Sequence, residues 1–276
     1  MANKKQLVNK EERERERESK SIIIWALYDD AESSYKKAIK KYFNNHNIEV
    51  YSIGINDVKF TEKTKYFYRK IDLSLNNFNL FKDLNKLPKP DIILASPPCE
   101  SWSGADCDGK MIRKISSNGT WKVQNERFYE DYNQKCHPVK RRYFLNKERG
   151  RIIGESTIGA TISIIRHYKP KAWIIENPKT SKMWEFQENH WDFNKYKDKP
   201  VYKNSTYYSS YDSNFSLKPT IFKSNVKLNL KKDRNINSNK NHMALGNYSK
   251  RSAIPAELIM NIVNQLFKKI GVNVHE

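Results

Sequence analysis

The 276-residue chain predicts an α/β fold built on a mostly parallel sheet. Three observations carry that expectation. Short apolar runs recur along the chain, segments of helical period separate them, and two of the runs end in distinctive polar residues. In a sheet of this kind, ligands bind beyond the carboxyl ends of the strands. DIILASPPC and AWIIENP would both place their polar residues at that edge.

Order is expected to begin at Ile22 to Leu27, a run suited to a buried strand. Ser33 to Asn44 follows, with Ala38, Ile39 and Tyr42 at helical spacing. Glu49 to Ile55 reads as a second strand, Ile71 to Leu73 as a short third, and Asp91 to Ala95 as a fourth. Gly104 to Arg149 reads as a long, polar, basic loop, and loops of that length are functional or disordered. From Gly150 to His167 a helix is expected, because Ile158, Ile162 and Ile165 form one stripe and Pro170 then stops it. Ala172 to Ile175 is another buried strand. Lys223 to Asn241 is Lys/Asn-rich and reads as too polar for core. Pro255 suits the first turn of a closing amphipathic helix.

Composition narrows the function classes. With 51 Lys and Arg against 31 Asp and Glu, the formal net charge is +20, which favours a polyanionic partner such as nucleic acid. A coding sequence rich in A and T would also enrich Lys and Asn, so charge alone leaves both readings open. No run of about 18 apolar residues is present, and no membrane partner is expected. Residues 1–20 are charged throughout, without the apolar region of a secretory signal, and read as a flexible arm. Three cysteines suggest no disulfide framework and a reducing, cytoplasmic setting. Cys107, Cys136 and His137, even with Asp106 or Asp108, match no compact metal-binding spacing, so no metal is expected.

Cys99 stands directly behind Pro97 and Pro98, which fix two φ angles and stiffen the turn. A thiol so placed can act as a nucleophile once ionised. The competing reading is an inert core cysteine, yet Glu100, Ser101, Trp102 and Ser103 do not read as core. Glu176 closes the other strand, where a carboxyl at the mouth of an apolar pocket can hold a heterocycle. Alone it could be an ordinary acidic residue opening a loop. Together they suit thiolate addition to a pyrimidine ring with charge stabilised at the ring nitrogen.

Ser96-Pro97-Pro98-Cys99-Glu100-Ser101-Trp102-Ser103 resembles the Pro-Cys motif of the DNA (cytosine-5-)-methyltransferases, especially phage-type members. Trp173-Ile174-Ile175-Glu176-Asn177-Pro178 is similar to that family's Glu-Asn-Val motif. Tyr208 to Thr220, ending Lys218-Pro219-Thr220, resembles the segment with its basic pocket residues, and Leu245-Gly246-Asn247 with Arg251 to Pro255 resembles its C-terminal motif. The motifs occur in family order, and their joint occurrence is far more specific than any one.

The resemblance implies a Rossmann-like methyltransferase fold with a small, reduced target-recognition region. It divides the chain into an arm (1–20), a catalytic domain (21–222), a recognition loop region (223–245) and a returning C-terminal motif and helix (246–276). It implies S-adenosylmethionine as cofactor and double-stranded DNA as partner, in a restriction-modification or phage setting; a monomer would suffice. Cys99, Glu176 and Lys218 become the catalytic candidates. Tyr28, Ser33, Asp72, Pro97 and Asn247 become the cofactor candidates. Ser103, Arg141, Arg142, Lys231 and Lys232 become the nucleic-acid candidates.

The sequence departs from the family at the turn after the first strand. Asp30 and Glu32 stand where glycines are expected, although glycine is what allows close approach of backbone to ligand. Gly54 stands in place of the ribose-binding acid, with Asp57 nearby but out of register, whereas Asp72 matches the acid near the adenine. Two other readings therefore remain: a non-catalytic DNA-binding homologue that has lost the cofactor, and an RNA cytosine methyltransferase.

Overall fold

The computed structural model describes residues 21–29, 33–57, 65–102, 112–114, 121–234, 238–239 and 251–272. Its main sheet has seven strands: β1 (Ile22–Leu27), β2 (Ile48–Gly54), β3 (Tyr66–Lys70), β4 (Ile92–Ala95), β7 (Ala172–Pro178), β10 (Tyr202–Tyr207) and β11 (Pro219–Ser224), while β8 (Lys195–Tyr196) and β9 (Lys199–Pro200) pair apart from it. Their spatial order is β10-β11-β7-β4-β1-β2-β3. Neighbours from β7 to β3 run parallel, whereas β11 is antiparallel to both β7 and β10. This is the mostly parallel α/β sheet that the sequence predicts.

Central parallel strands are covered on both faces, which explains their unbroken apolar runs. Ile24, Ala26, Ile92, Leu94 and Ile174 face one layer, formed by α1 (Ser34–Phe43) and α6 (Ala256–Ile270). There Phe43 and Phe267 meet edge to face, with ring centroids 5.4 Å apart. Trp25, Leu27, Ile93, Trp173 and Ile175 face the other layer, which includes α2 (Leu80–Leu84), α4 (Phe144–Tyr168) and α5 (Met183–Asn189). On α6, Leu258, Ile259, Ile262, Val263, Leu266 and Phe267 are all buried in one stripe. Each such side chain contributes roughly 2 kcal/mol from area alone. A single Val263→Asp would break that packing.

From β1 the chain moves outward through β2 and β3, then returns to place β4 on the opposite side of β1. That reversal opens a crevice at the carboxyl ends of β1 and β4, the usual ligand position in such sheets.

Three sequence expectations need correction. The third strand is Tyr66–Lys70, and Ile71 to Leu73 lie just beyond it in irregular backbone. Aromatic and cationic residues hid it: Tyr51 stacks on Phe67 at 4.8 Å, and Arg69 lies 5.4 Å from the Phe67 ring, so an edge strand is built without an aliphatic run. The Gly104–Arg149 stretch is substantially structured. It holds a hairpin of β5 (Ile112–Lys114) and β6 (Trp121–Val123), then α3 (Glu126–Lys135), and α4 begins inside it at Phe144. The Asn125 side chain caps α3 by accepting from Phe128 N–H, a signal masked by the polar composition. Finally, Lys223 and Ser224 complete β11 and are fully buried, while Leu228 and Leu230 join the core.

Residues 1–20, Asp30, Glu32, Ser103, Cys107 with its acidic neighbours, and the segment 240–250 containing Asn247 lie outside the described residues. No described helix is long and apolar enough to cross a membrane.

Candidate active site

Strand register brings the predicted catalytic residues together. Ala95 pairs with Ile175 across β4 and β7, so the turn bearing Cys99 leaves the sheet beside Glu176 and Asn177. Glu176 in turn pairs with Phe222 and Pro178 with Thr220, so the start of β11, preceded by Lys218, reaches the same edge. Thr206 pairs with Thr220 on the outer side, and the chain then turns through a short 3-10 segment beginning at Tyr208. Four strand ends thus converge.

The Cys99 turn is held from several directions. Asn177 Nδ2 donates to the Pro97 carbonyl at 3.0 Å, tying the Pro-Pro step to β7. Asn177 Oδ1 is buried and has no partner among the described residues. Trp102 N–H donates to the Cys99 carbonyl at 3.0 Å, and the Trp102 carbonyl accepts from Lys182 N–H at 2.9 Å. The Ser101 hydroxyl donates to the Gly150 carbonyl in α4. Contrary to expectation, Trp102 is wholly buried, packed against Phe186 with ring centroids 5.1 Å apart. It fits because α4 carries glycine at 154, where a Cβ would sit 2.7 Å from the indole nitrogen. The residues after Cys99 therefore anchor the turn instead of forming a free loop.

Cys99 itself is half-buried. Burial pushes its thiol up, the Lys218 ammonium opposes that by favouring thiolate, and the Glu176 and Glu100 carboxylates reinforce the rise. Glu176 is 6% exposed, and its Oε1 accepts from the Tyr208 hydroxyl at 2.9 Å. The Lys218 ammonium lies 4.5 Å above the Tyr208 ring and donates to the Arg251 carbonyl at 3.3 Å. Lys218 takes the left-handed backbone region, with φ 24°, where non-glycine residues carry strain. On the near side, the Tyr35 and Ser96 hydroxyls bond at 2.7 Å. A partly shielded thiol, a buried carboxylate and an ammonium at one sheet edge can add sulfur to an electron-poor ring while holding its polar edge.

Of the predicted cofactor residues, Tyr28 and Ser33 follow β1, Asp72 follows β3 and Pro97 follows β4, each beyond a carboxyl strand end. Tyr28, at φ 62°, is fixed by bonds from its hydroxyl region to the Leu73 carbonyl (2.8 Å), the Thr157 carbonyl (2.9 Å) and Thr161 Oγ1 (3.0 Å). Burial pushes its phenol up, against the Thr161 hydrogen bond and with help from the Asp72 carboxylate. Asp72 is exposed just past β3. Ser33 is buried, with its hydroxyl donating to the Asp29 carbonyl at 3.0 Å. Asp29 is 4% exposed and accepts from Tyr35 N–H (3.1 Å), Lys36 N–H (3.2 Å) and the Ser52 hydroxyl (2.8 Å). This carboxylate occupies the anion position that the first turn of α1 would offer a ligand. Burial raises Asp29 from the ordinary 3.8 to about 6, with its three donors and Lys36 pulling the other way.

The predicted nucleic-acid residues fall in two places. Lys231 and Lys232 are exposed beside the end of β10, where the Lys231 carbonyl accepts from Thr206, its N–H donates to the Tyr211 hydroxyl, and its ammonium lies 5.2 Å from the Tyr211 ring. Arg234, which the sequence reading did not single out, stacks 5.4 Å from Tyr207 in the same strip. Arg141 and Arg142 lie in the connection between α3 and α4, where Asn133 accepts from Arg142 N–H at 2.8 Å. Tyr208, Tyr35, Asn177 and Asp29 were likewise missed as site residues. Only tertiary register brings Tyr208 to Glu176; local spacing carries no sign of it.

No protein-family model and no curated protein matches the chain. Among solved structures, it is similar to one described as a DNA modification methyltransferase encoded within an E. coli prophage. The identity is 13% and the TM-score 0.41, over 75% of this chain and 47% of that one. It is also similar to S. pombe Dnmt2 methyltransferase, at 12% identity and TM-score 0.39, over 79% of this chain and 52% of that one. The Entamoeba histolytica methyltransferase EhMeth gives 12% identity and TM-score 0.39, over 78% and 58%. The chain spans about half the length of these solved structures.

Proposed function

We propose that the protein transfers a methyl group to carbon 5 of a cytosine flipped out of double-stranded DNA. The convergence of Cys99, Glu176 and Lys218 at one sheet edge carries this reading. Flipping is required because the ring face is inaccessible within the stack. Cys99 thiolate bonds to carbon 6, a proton held between Glu176 and the ring nitrogen neutralises the negative charge that builds there, and Glu176 also accepts from the exocyclic amine. Lys218 stabilises the thiolate and sits where it can also meet the base or a phosphate. S-adenosylmethionine, when bound, supplies an electrophilic methyl group. Once carbon 5 carries that group, loss of its proton to a base allows the carbon–sulfur bond to break and returns Cys99 as thiolate.

The described residues suit the adenosine end of that cofactor. Asp72 is exposed where an adenine amine could donate to it, close enough for its charge to act on the Tyr28 phenol. Lys231, Lys232, Arg141 and Arg142 would meet phosphates.

One observation favours a second reading. Asp29 already occupies the first-turn amides of α1, as expected of a DNA-binding homologue without the cofactor. Methyl transfer from tritiated S-adenosylmethionine to mixed DNA separates the two, with Cys99→Ser as control. No incorporation together with no cofactor binding would sink the methyltransferase reading. Incorporation into RNA alone would redirect it.

A further inference from the structure

We infer that Tyr208 is a positioning residue that aims Glu176 at the pyrimidine and couples it to Lys218; the inference rests on the function proposed above. Glu176 is 6% exposed, and a carboxylate removed from water must be held by donors or it loses both geometry and charge. Tyr208 supplies such a donor at 2.9 Å to Oε1. Tyr208 is itself wholly buried, and burial followed by the Glu176 charge pushes its phenol well above the ordinary value. The proton therefore stays on the tyrosine, and the bond runs in one direction, from phenol to carboxylate. One Glu176 oxygen is engaged, the carboxylate plane is fixed, and Oε2 is left for the ring.

The same ring serves the cation. Lys218 Nζ lies 4.5 Å above it, within the range of a cation–π contact. Thr220, fully buried on β11, lies beside the Tyr208 phenol and donates its hydroxyl to the Lys218 carbonyl at 3.1 Å. The phenol end meets the acid, the face meets the ammonium, and both partners flank Cys99. Tyr208 can take this place because it follows β10 directly, and the pairing of Thr206 with Thr220 sets how far the chain reaches before it turns. A side chain that served only packing would need neither the hydroxyl bond nor the cation above its ring.

Tyr208→Phe keeps the ring and the cation contact and removes only the hydroxyl. With wild-type protein, S-adenosylmethionine and duplex DNA, the expected result is a kcat lower by about 10- to 100-fold, the scale of a misplaced reacting group. KM for DNA should stay within about twofold, because no DNA contact is lost. Equal kcat in wild type and Tyr208→Phe would overturn the inference while leaving the methyltransferase reading intact. A matched fall in kcat and rise in KM, or a fall explained by the folded fraction in a thermal melt, would also overturn it. If Tyr208→Phe does not fold, Thr220→Val replaces it. That change keeps the side chain's shape, removes the hydroxyl beside the phenol and releases the Lys218 carbonyl, and about a 3- to 10-fold loss confined to kcat is expected; an unchanged kcat would refute the coupling. Wild-type protein that neither methylates nor forms a covalent complex with 5-fluorocytosine DNA would overturn both the inference and the reading beneath it.

Discussion

Gly154→Ala tests whether the Cys99 turn is held by the packing of Trp102. A Cβ at position 154 would lie 2.7 Å from Trp102 Nε1, 3.0 Å from Cε2 and 3.1 Å from Ser101 Cβ. Ordinary contact begins near 3.4 Å, so the indole must retreat by about 0.7 Å, and overpacking of that kind costs about 1–3 kcal/mol. Helix propensity opposes it, because alanine is favoured over glycine inside a helix by about 1 kcal/mol. The net stability loss should be small, about 0–2 kcal/mol, combining those two terms. Activity should respond more strongly. The Trp102 backbone N–H is bonded to the Cys99 carbonyl, so an indole pushed back far enough to drag its own backbone shifts the thiol, and a displacement approaching 1 Å costs about 10²-fold in rate. Thermal melts and methyl-transfer rates on the same preparations read the two effects. A variant more stable than wild type and fully active would refute the packing argument.

Three further outcomes follow from individual charged groups. Lys223 is fully buried, and desolvation lowers it from 10.5 to about 8 against the pull of Glu188 at 3.5 Å. The unfolded chain holds that proton more tightly, so stability should rise between about pH 8 and 10.5. Lys223→Met should remove that rise and raise the melting temperature at pH 7 by a few degrees, since Lys203 still pairs with Glu188 at 2.6 Å; a lower melting temperature would show a net favourable ion pair. For Asp29, raised from 3.8 to about 6, the folded state binds the proton more tightly. Stability should therefore fall as pH rises through that window, by about 3 kcal/mol at 1.36 kcal/mol per unit. Asp29→Asn should flatten the profile in urea titrations, and an unchanged slope would contradict the assignment. Lys218→Met should lower the neutral rate by about fivefold, the effect of roughly 1 kcal/mol, and move the optimum to higher pH as the thiolate loses its cation. An unmoved optimum would separate Lys218 from the thiol.

The main lines of the fold were legible wherever aliphatic runs made strands, because parallel strands buried on both faces leave that signature. Tyr66–Lys70 was missed for the opposite reason: an edge strand can be built from stacked aromatics and an arginine. The basic stretch after Cys99 looked like loop because its helix α3 is largely exposed and polar. Lys223 was unreadable as core, since a lysine enters the interior only where a partner such as Glu188 waits, and that partner lies 35 residues away in sequence. The Cys99 and Glu176 motifs were visible as chemistry. Tyr208 was not, because its role arises from antiparallel register between β10 and β11.

The central claim is that Cys99 bonds to carbon 6 of cytosine. It is tested most directly with duplex DNA carrying 5-fluorocytosine, incubated with the full chain and S-adenosylmethionine and resolved under denaturing conditions. Fluorine at carbon 5 cannot leave as the proton does, so the account predicts a covalent protein–DNA complex from wild type and none from Cys99→Ser. Cofactor binding without a complex, or an equal complex from Cys99→Ser, would contradict it.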